Sequence, residues 1–312
     1  MNFQQLEYIV AVDTYRHFAT AAEKCFVTQP TLSMMIHKLE EELGAKIFDR
    51  SKQPVATTEL GKPIVEQARV ILKETARLKE LVTEKKGSVD GELKVGIIPT
   101  LAPYLLPLFI KSFLKKYPLV RLTIIEVRTE TIIEQLKSGV LDVGILVTPL
   151  ADVQLTEIPL FYEEFVVYAA KNEPVWDKKY VLAEDIDVKH LWLMEEGHCM
   201  RSQILNLCEL RKQVADHDNF HYEAGSIETL MKMVEANSGV TILPELALQD
   251  LSTRQQKMVR FFKDPAPVRE VSLAIHRHYV KRTLVNALRD EILRHIPAKM
   301  KESKNRDVVK IG

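Results

Sequence analysis

The sequence holds little of what usually declares a function outright. Three cysteines in 312 residues are too few for a disulfide framework. With no secretory pattern ahead of them they point to a reducing cytoplasm, where a thiol is structural, catalytic or redox-sensing. Long hydrophobic runs are also missing. The longest uncharged stretch, Val95 to Ile110, has 16 residues and contains Pro99, Pro103 and Pro107, short of the roughly 18 needed to suspect a membrane span. The first helical stretch carries Glu7 and Asp13 without a basic start, so neither a signal peptide nor an anchor is expected. Lys and Arg number 43 against 43 Asp and Glu, which removes any overall charge bias toward nucleic acid or acidic lipid. There is no phosphate-binding glycine loop, no catalytic triad and no paired spacing for a zinc site. Neither an enzyme, a cofactor nor a bound metal is therefore expected; a metal held by His198, Cys199 and Cys208 is the weakest of the readings that the residues allow.

What is present is an ordered alternation of patterns. Residues 1–58 read as short helices, and a long helix continues to Lys86 before Gly87, Ser88 and Gly91 break it. Beyond Leu93, apolar strands alternate with amphipathic helices: LKVGII, Pro103 to Tyr117, RLTIIEV, Thr129 to Gly139 and DVGILV. This predicts an α/β fold with a mainly parallel sheet. EEFVVYAA, a helix from Ile227 to Ala236, GVTILPE, REVSLAIH and a helix from Lys281 to Ile296 follow. The polar KESKNRD after them is expected to fray.

Near the N-terminus, Phe18 to Cys25 predicts a helix, Phe26 to Thr28 a turn, and Gln29 to Leu43 a second helix with Pro30 in its first turn. That is helix-turn-helix spacing. Leu32, Ile36, Leu39 and Leu43 recur at helical intervals and predict the inward face, leaving Gln29, Pro30, Thr31, Ser33, Met34 and His37 outward. Such a face suits base edges: glutamine pairs with adenine, and methionine can lie on a thymine methyl. Arg50 and Lys52, in a turn between two short strands, suit phosphate or minor-groove contact. Residues 1–60 nevertheless carry six Lys and Arg against eight Asp and Glu, so a DNA-binding unit here needs a second copy beside it. Ile64, Ala68, Ile71, Leu78 and Val82, with Thr75 between, form a 3.5-residue seam that either pairs two chains or packs on its own helix-turn-helix unit.

The stretch FATAAEKCFVTQPTLSMMIHKLEEELGAKIFDR resembles the N-terminal signature of the LysR-type transcription regulators. The resemblance implies a winged helix-turn-helix over 1–58 and a linker, or dimerisation, helix and hinge over 59–90. A two-lobed regulatory domain like periplasmic binding proteins would span 91–312, with lobe I about 91–163 and 269–300 and lobe II about 164–268. It implies a double-stranded DNA operator, self-association into dimers and tetramers, and contact with RNA polymerase as partners. His37 departs from the family, which often carries arginine there. GIIPTLAPYLLP and MEEGHCMRSQILNLC resemble the peroxide-sensing branch of the family. That likeness implies that hydrogen peroxide is the signal, with Cys199 as the peroxidatic thiol and Cys208 as the resolving one. Thr100, Thr129, His198, His221 and Ser226 would line the peroxide pocket, and Arg201 would support the thiolate. Arg211 to Phe220 is longer than in other members of that branch.

A thiol at the start of a helix from Arg201 onward gains thiolate character from the helix terminus and nearby cations. Thiolate attack on peroxide gives a sulfenic acid that condenses with a second thiol. Nine residues of helix span about 13 Å, whereas a disulfide needs α-carbons within about 7 Å; closing this bond must dismantle the helix. Other readings stay open: buried filler cysteines in a regulator that answers to a small molecule in the cleft, or a thiol peroxidase. Cys25 reads as a core residue.

Overall fold

The computed structural model describes residues 1–86, 89–195, 199–208, 224–277, 279, 281–301 and 307–309, with backbone alone at 73, 76–86, 188 and 307. Two compact units result, one from residues 1–88 with 278–282 and one from 89–277 with 283–312.

In the first unit, α1 (Phe3–Tyr15), α2 (Phe18–Lys24) and α3 (Gln29–Leu43) precede a two-stranded wing, β1 (Phe48–Asp49) and β2 (Ala56–Thr57), and the long α4 (Gly61–Lys86). The helix ends are set locally. Asn2 and Gln5 form a capping box on α1. Thr28 caps α3 through the Thr31 N–H at 3.4 Å, Pro30 sits in its first turn, and Gly44 ends it at φ 63°. Leu32, Ile36 and Leu39 are fully buried with Ile9, Val12, Ala21 and Ile47. Leu43, expected inside, is instead 42% exposed, because it lies in the last turn, next to the Gly44 cap and past the facing helices. Cys25 is half-buried against the core's edge.

The seam on α4 is corrected in its first half. Ala68 is 2% exposed within its own unit's core, beside Val65, while Ile64 and Ile71 pack partly against the same core. These residues satisfy the alternative of packing at home. The side chains of Leu78 and Val82 lie outside the described residues.

The second unit begins with β3 (Gly91–Ile97), α5 (Ala102–Lys116), β4 (Val120–Glu126), α6 (Thr129–Ser138) and β5 (Val143–Thr148). Strand β3 pairs parallel with both β4 and β5. Gly96 and Gly144 let α6 press on these strands: a β-carbon at Gly96 would fall 3.0 Å from Ile132 Cγ1, and one at Gly144 2.5 Å from Ile132 Cγ2. This close approach fixes the N-terminus of α6, and Thr129 with it.

The chain then enters β6 (Leu155–Ala169), longer than EEFVVYAA alone suggests. After β6 come α7 (Cys199–Leu207), α8 (Ile227–Asn237), β7 (Val240–Pro244), α9 (Thr253–Gln256), β8 (Val259–Phe261), β9 (Pro267–His276), α10 (Arg282–His295) and β10 (Asp307–Val308). Residues 155–164 of β6 pair antiparallel with β9, and residues 165–169 pair antiparallel with β7, flanked by β8 on the other side. One strand thus runs through both lobes. Since β5 also meets β9 antiparallel, parallel pairing among the described strands is confined to β3 with its two neighbours and to the short β10 on β9, less than the mainly parallel sheet expected from alternation. The returning strands β6 and β9 carry the chain between lobes, and their run of pattern looks the same in either direction. The last residue of KESKNRD, Asp307, does not fray as expected: with Val308 it forms β10, which pairs in parallel with β9.

Candidate functional site

Glu163 and Arg269 face each other in register where β6 leaves β9 for β7. Both side chains are fully buried, and Arg269 grips one Glu163 oxygen, Oε2, with Nε at 2.8 Å and Nη2 at 2.7 Å. Oε1 accepts from the Leu246 amide at 2.7 Å. Burial pushes the Glu163 carboxyl up while Arg269 and the Leu246 N–H pull it down; with donors on both oxygens, the geometry holds the carboxylate. The rest of the guanidinium turns to Thr100, donating from Nη1 to Oγ1 and from Nη2 to the carbonyl, each at 3.1 Å. Arg269 is a site residue that the sequence pattern missed. It sits inside a strand that reads as plain core, and only its charge in an apolar run signals it.

Beside this group lies Cys199, the first residue of α7, buried with its sulfur 2.7 Å from Thr129 Oγ1. Burial raises the thiol pKa; the Thr129 hydroxyl and Arg269 oppose it. The expectation of a depressed pKa is therefore overturned by desolvation. Arg201 is likewise corrected: its Nη1 donates to the Met194 carbonyl at 2.9 Å, and Arg269 is the cation that acts on Cys199. Ser226 caps α8, its Oγ accepting from the Thr229 amide at 3.2 Å. His198 and His221, with the segment 211–220, lie outside the described residues.

Cys208 closes the other end of the helix, its amide donating to the Ile204 carbonyl at 3.1 Å. It is free and half-buried, and burial alone pushes its thiol up to about 11. Further ties join the lobes. Tyr104 on α5 donates to Glu228 on α8 at 2.7 Å, and Arg128 pairs with Glu195.

In the first unit, Gln29, Pro30, Thr31, Met34 and His37 are exposed along α3 and Ser33 is half-buried. His37 sits 3.3 Å from Glu41. Arg50 is less free than expected. It donates to Ser33 Oγ at 2.9 Å, pairs with Glu40 at 3.4 Å and lies over the Phe18 ring, so it braces the wing against α3. Buried Glu40 completes that brace by accepting from the amides of Ile47 at 2.7 Å and Phe48 at 3.2 Å. Lys52 is exposed, 3.9 Å from Asp49. Phe26, in the turn before α3, is 95% exposed in a left-handed conformation. Its place in the sequence gave the turn, not the exposure.

Among the described residues no cluster of His, Cys, Asp and Glu could hold a metal ion, and no helix is long and apolar enough to cross a membrane.

Residues 3–62 match the bacterial regulatory helix-turn-helix protein model of the lysR family, and residues 86–297 match the LysR substrate binding domain. The chain is 35% identical over 302 residues to a hydrogen peroxide-inducible genes activator of Dickeya chrysanthemi, covering 97% of this chain and 98% of that one. A full-length OxyR from Pseudomonas aeruginosa is 34% identical with a TM-score of 0.79, covering 95% of this chain and 99% of that one. An H2O2-bound OxyR mutant from Corynebacterium glutamicum is 29% identical with a TM-score of 0.60, covering 94% of each. Helix-turn-helix geometry, two-lobed unit and these matches agree: the chain belongs to the LysR family of DNA-binding transcription regulators.

Proposed function

We propose that this regulator senses hydrogen peroxide at Cys199 and signals by forming a Cys199–Cys208 disulfide that switches oxidative-stress genes. The observation that carries the reading is the buried Thr129–Cys199 contact at the start of α7, with the Arg269–Thr100 pair beside it. Relatives named for peroxide induction support it. The Cys199 thiolate attacks one peroxide oxygen; the O–O bond breaks, and the leaving hydroxide takes a proton to become water. The sulfenic acid on Cys199 is then attacked by the Cys208 sulfur, the S–O bond breaks, and a second water leaves with the Cys208 proton. Thr100 and Thr129 orient the peroxide by hydrogen bonds, with His198, His221 and Ser226 completing the pocket. Arg269 stabilises the negative charge that develops. A raised resting pKa does not oppose this chemistry: a buried thiol is protected from other oxidants, and the small fraction ionised is the nucleophile.

The functional division is 1–58 for DNA reading, 59–90 for linkage and 91–312 for sensing. Gln29, Pro30, Thr31, Ser33, Met34 and His37 read base edges, with Phe26 beside them. Lys52 meets phosphate, and Arg50 holds the wing. The outer half of α4, through Leu78 and Val82, pairs two chains, pairs of dimers form the tetramer, and RNA polymerase is the partner in activation.

The test is peptide mapping without reductant after brief peroxide treatment, in wild type and in Cys208→Ser. The expected products are a linked 199–208 peptide in the first and a trapped sulfenic acid on Cys199 in the second. Two free thiols after treatment would return the chain to a regulator answering to a cleft ligand.

A further inference from the structure

At the middle of α7, between the two cysteines, lies Gln203, a fully buried amide. Its Nε2 donates to the carbonyl of Val309 at 2.7 Å, while its Oε1 has no hydrogen-bond partner in the structure. The Val309 amide donates in turn to the Val268 carbonyl at 2.9 Å, and Val309 itself is buried. Asp307 and Val308 pair with Pro267 and Val268, so this short strand docks on β9 immediately before Arg269. The segment touches the sensing site from two sides: through α7 by Gln203, and through β9 next to the cation acting on Cys199.

We propose that residues 307–309 form a latch on the sensing helix, closed while both thiols are reduced and released when the disulfide forms. The proposal rests on the disulfide reading above, since unwinding of 199–208 is what opens the latch. Helix and strand support each other in the reduced state. Among the described residues the Val309 carbonyl is the one hydrogen-bond partner of the Gln203 side chain, and without it a fully buried amide would be left with no bond at all, which is costlier than its net worth when paired. Conversely, an α7 that unwinds carries Gln203 away and leaves the Val309 carbonyl unmatched. By linkage, whatever factor oxidation takes from strand docking, docking takes from oxidation. The latch therefore sets how readily the switch is thrown, and its release offers a newly exposed edge of β9 as part of the oxidised surface.

Hydrogen exchange on the full-length protein tests this, with the redox state fixed independently by peptide mass. In the reduced chain the Val309 amide should be protected; in the chain shown to carry the 199–208 bond it should exchange roughly tenfold faster or more. Two variants, Gln203→Met and a chain ended at Lys301, should shift the thiol–disulfide equilibrium with glutathione about 3- to 10-fold toward the disulfide. Here the protein disulfide and two glutathione thiols exchange for the dithiol and oxidised glutathione. The latch is overturned if the disulfide forms while Val309 keeps its protection, or if both variants oxidise at the wild-type equilibrium. Cysteines that stay free under peroxide would sink the sensing reading itself, and the mass measurement reports that separately from the strand.

Discussion

Helix α3, proposed to read DNA, and helix α7, proposed to sense peroxide, present opposite arrangements. On α3 the candidate residues point outward and the packing residues inward, so reading and folding fall to different side chains. On α7 the residue that would react is buried and begins the helix itself. Its neighbours come from far along the chain: Thr129 is 70 residues away, and Arg269 reaches Thr100 across 169. The contrast teaches that the proposed DNA readout can change without cost to the fold, whereas the proposed sensing draws on the same contacts that hold the lobes together.

The sharpest way to break that contrast is Arg269→Met. It strands the Glu163 carboxylate in the core and should lower unfolding stability by about 3–5 kcal/mol in denaturant titration, with Cys199 oxidation slowed in whatever protein remains folded. A variant that unfolds at the wild-type midpoint would separate sensing from folding after all. On the other side, Gln29→Ala should weaken operator binding by about 1–3 kcal/mol, judged by titration at fixed salt, with the melting temperature unchanged; loss of stability there would erase the distinction.

The pH dependence of sensing comes next. Because burial raises the Cys199 thiol, the thiolate fraction is small at neutral pH and grows as pH rises. The rate of Cys199 oxidation should climb about tenfold per unit of pH until the thiol's own titration is reached. A rate flat above neutrality would show a thiolate already formed. Removing the hydroxyl that opposes burial, in Thr129→Val, should displace the whole profile toward higher pH. The smallest effect is expected for Phe26→Ala. An exposed ring loses little packing, so stability should move by less than ~0.5 kcal/mol, while operator affinity falls if the ring meets DNA.

How much of this was legible in the sequence follows the same contrast. The boundaries of α3 are visible because Thr28, Pro30 and Gly44 mark them with local chemistry, and Leu32, Ile36 and Leu39 keep helical period. Leu43 misleads because periodicity does not say where the facing helices stop. Ala68 shows the same limit: a seam pattern states that one face is apolar, not which surface covers it. In the second unit, resemblance brought Thr100, Thr129 and Cys199 forward. Arg269 and Gln203 were silent, since a strand residue and a helix residue reveal nothing of a partner more than a hundred positions away. Arg201 drew attention by being near Cys199 in sequence, yet its guanidinium turns to a backbone carbonyl.

The course of β6 has a consequence for how such a molecule can be taken apart. Its fifteen residues pair first with β9, across a register shift at Pro159 and Phe161, and then lie between β7 and β8, so no cut in the chain there leaves two self-sufficient halves. A lobe excised at either end of the strand would expose an open ladder of amides and carbonyls, the kind of edge that recruits a stray strand. The two lobes are bound to a common spine: they are inherited, synthesised and lost together, and loop insertions can enlarge either one without ever making it a separable part.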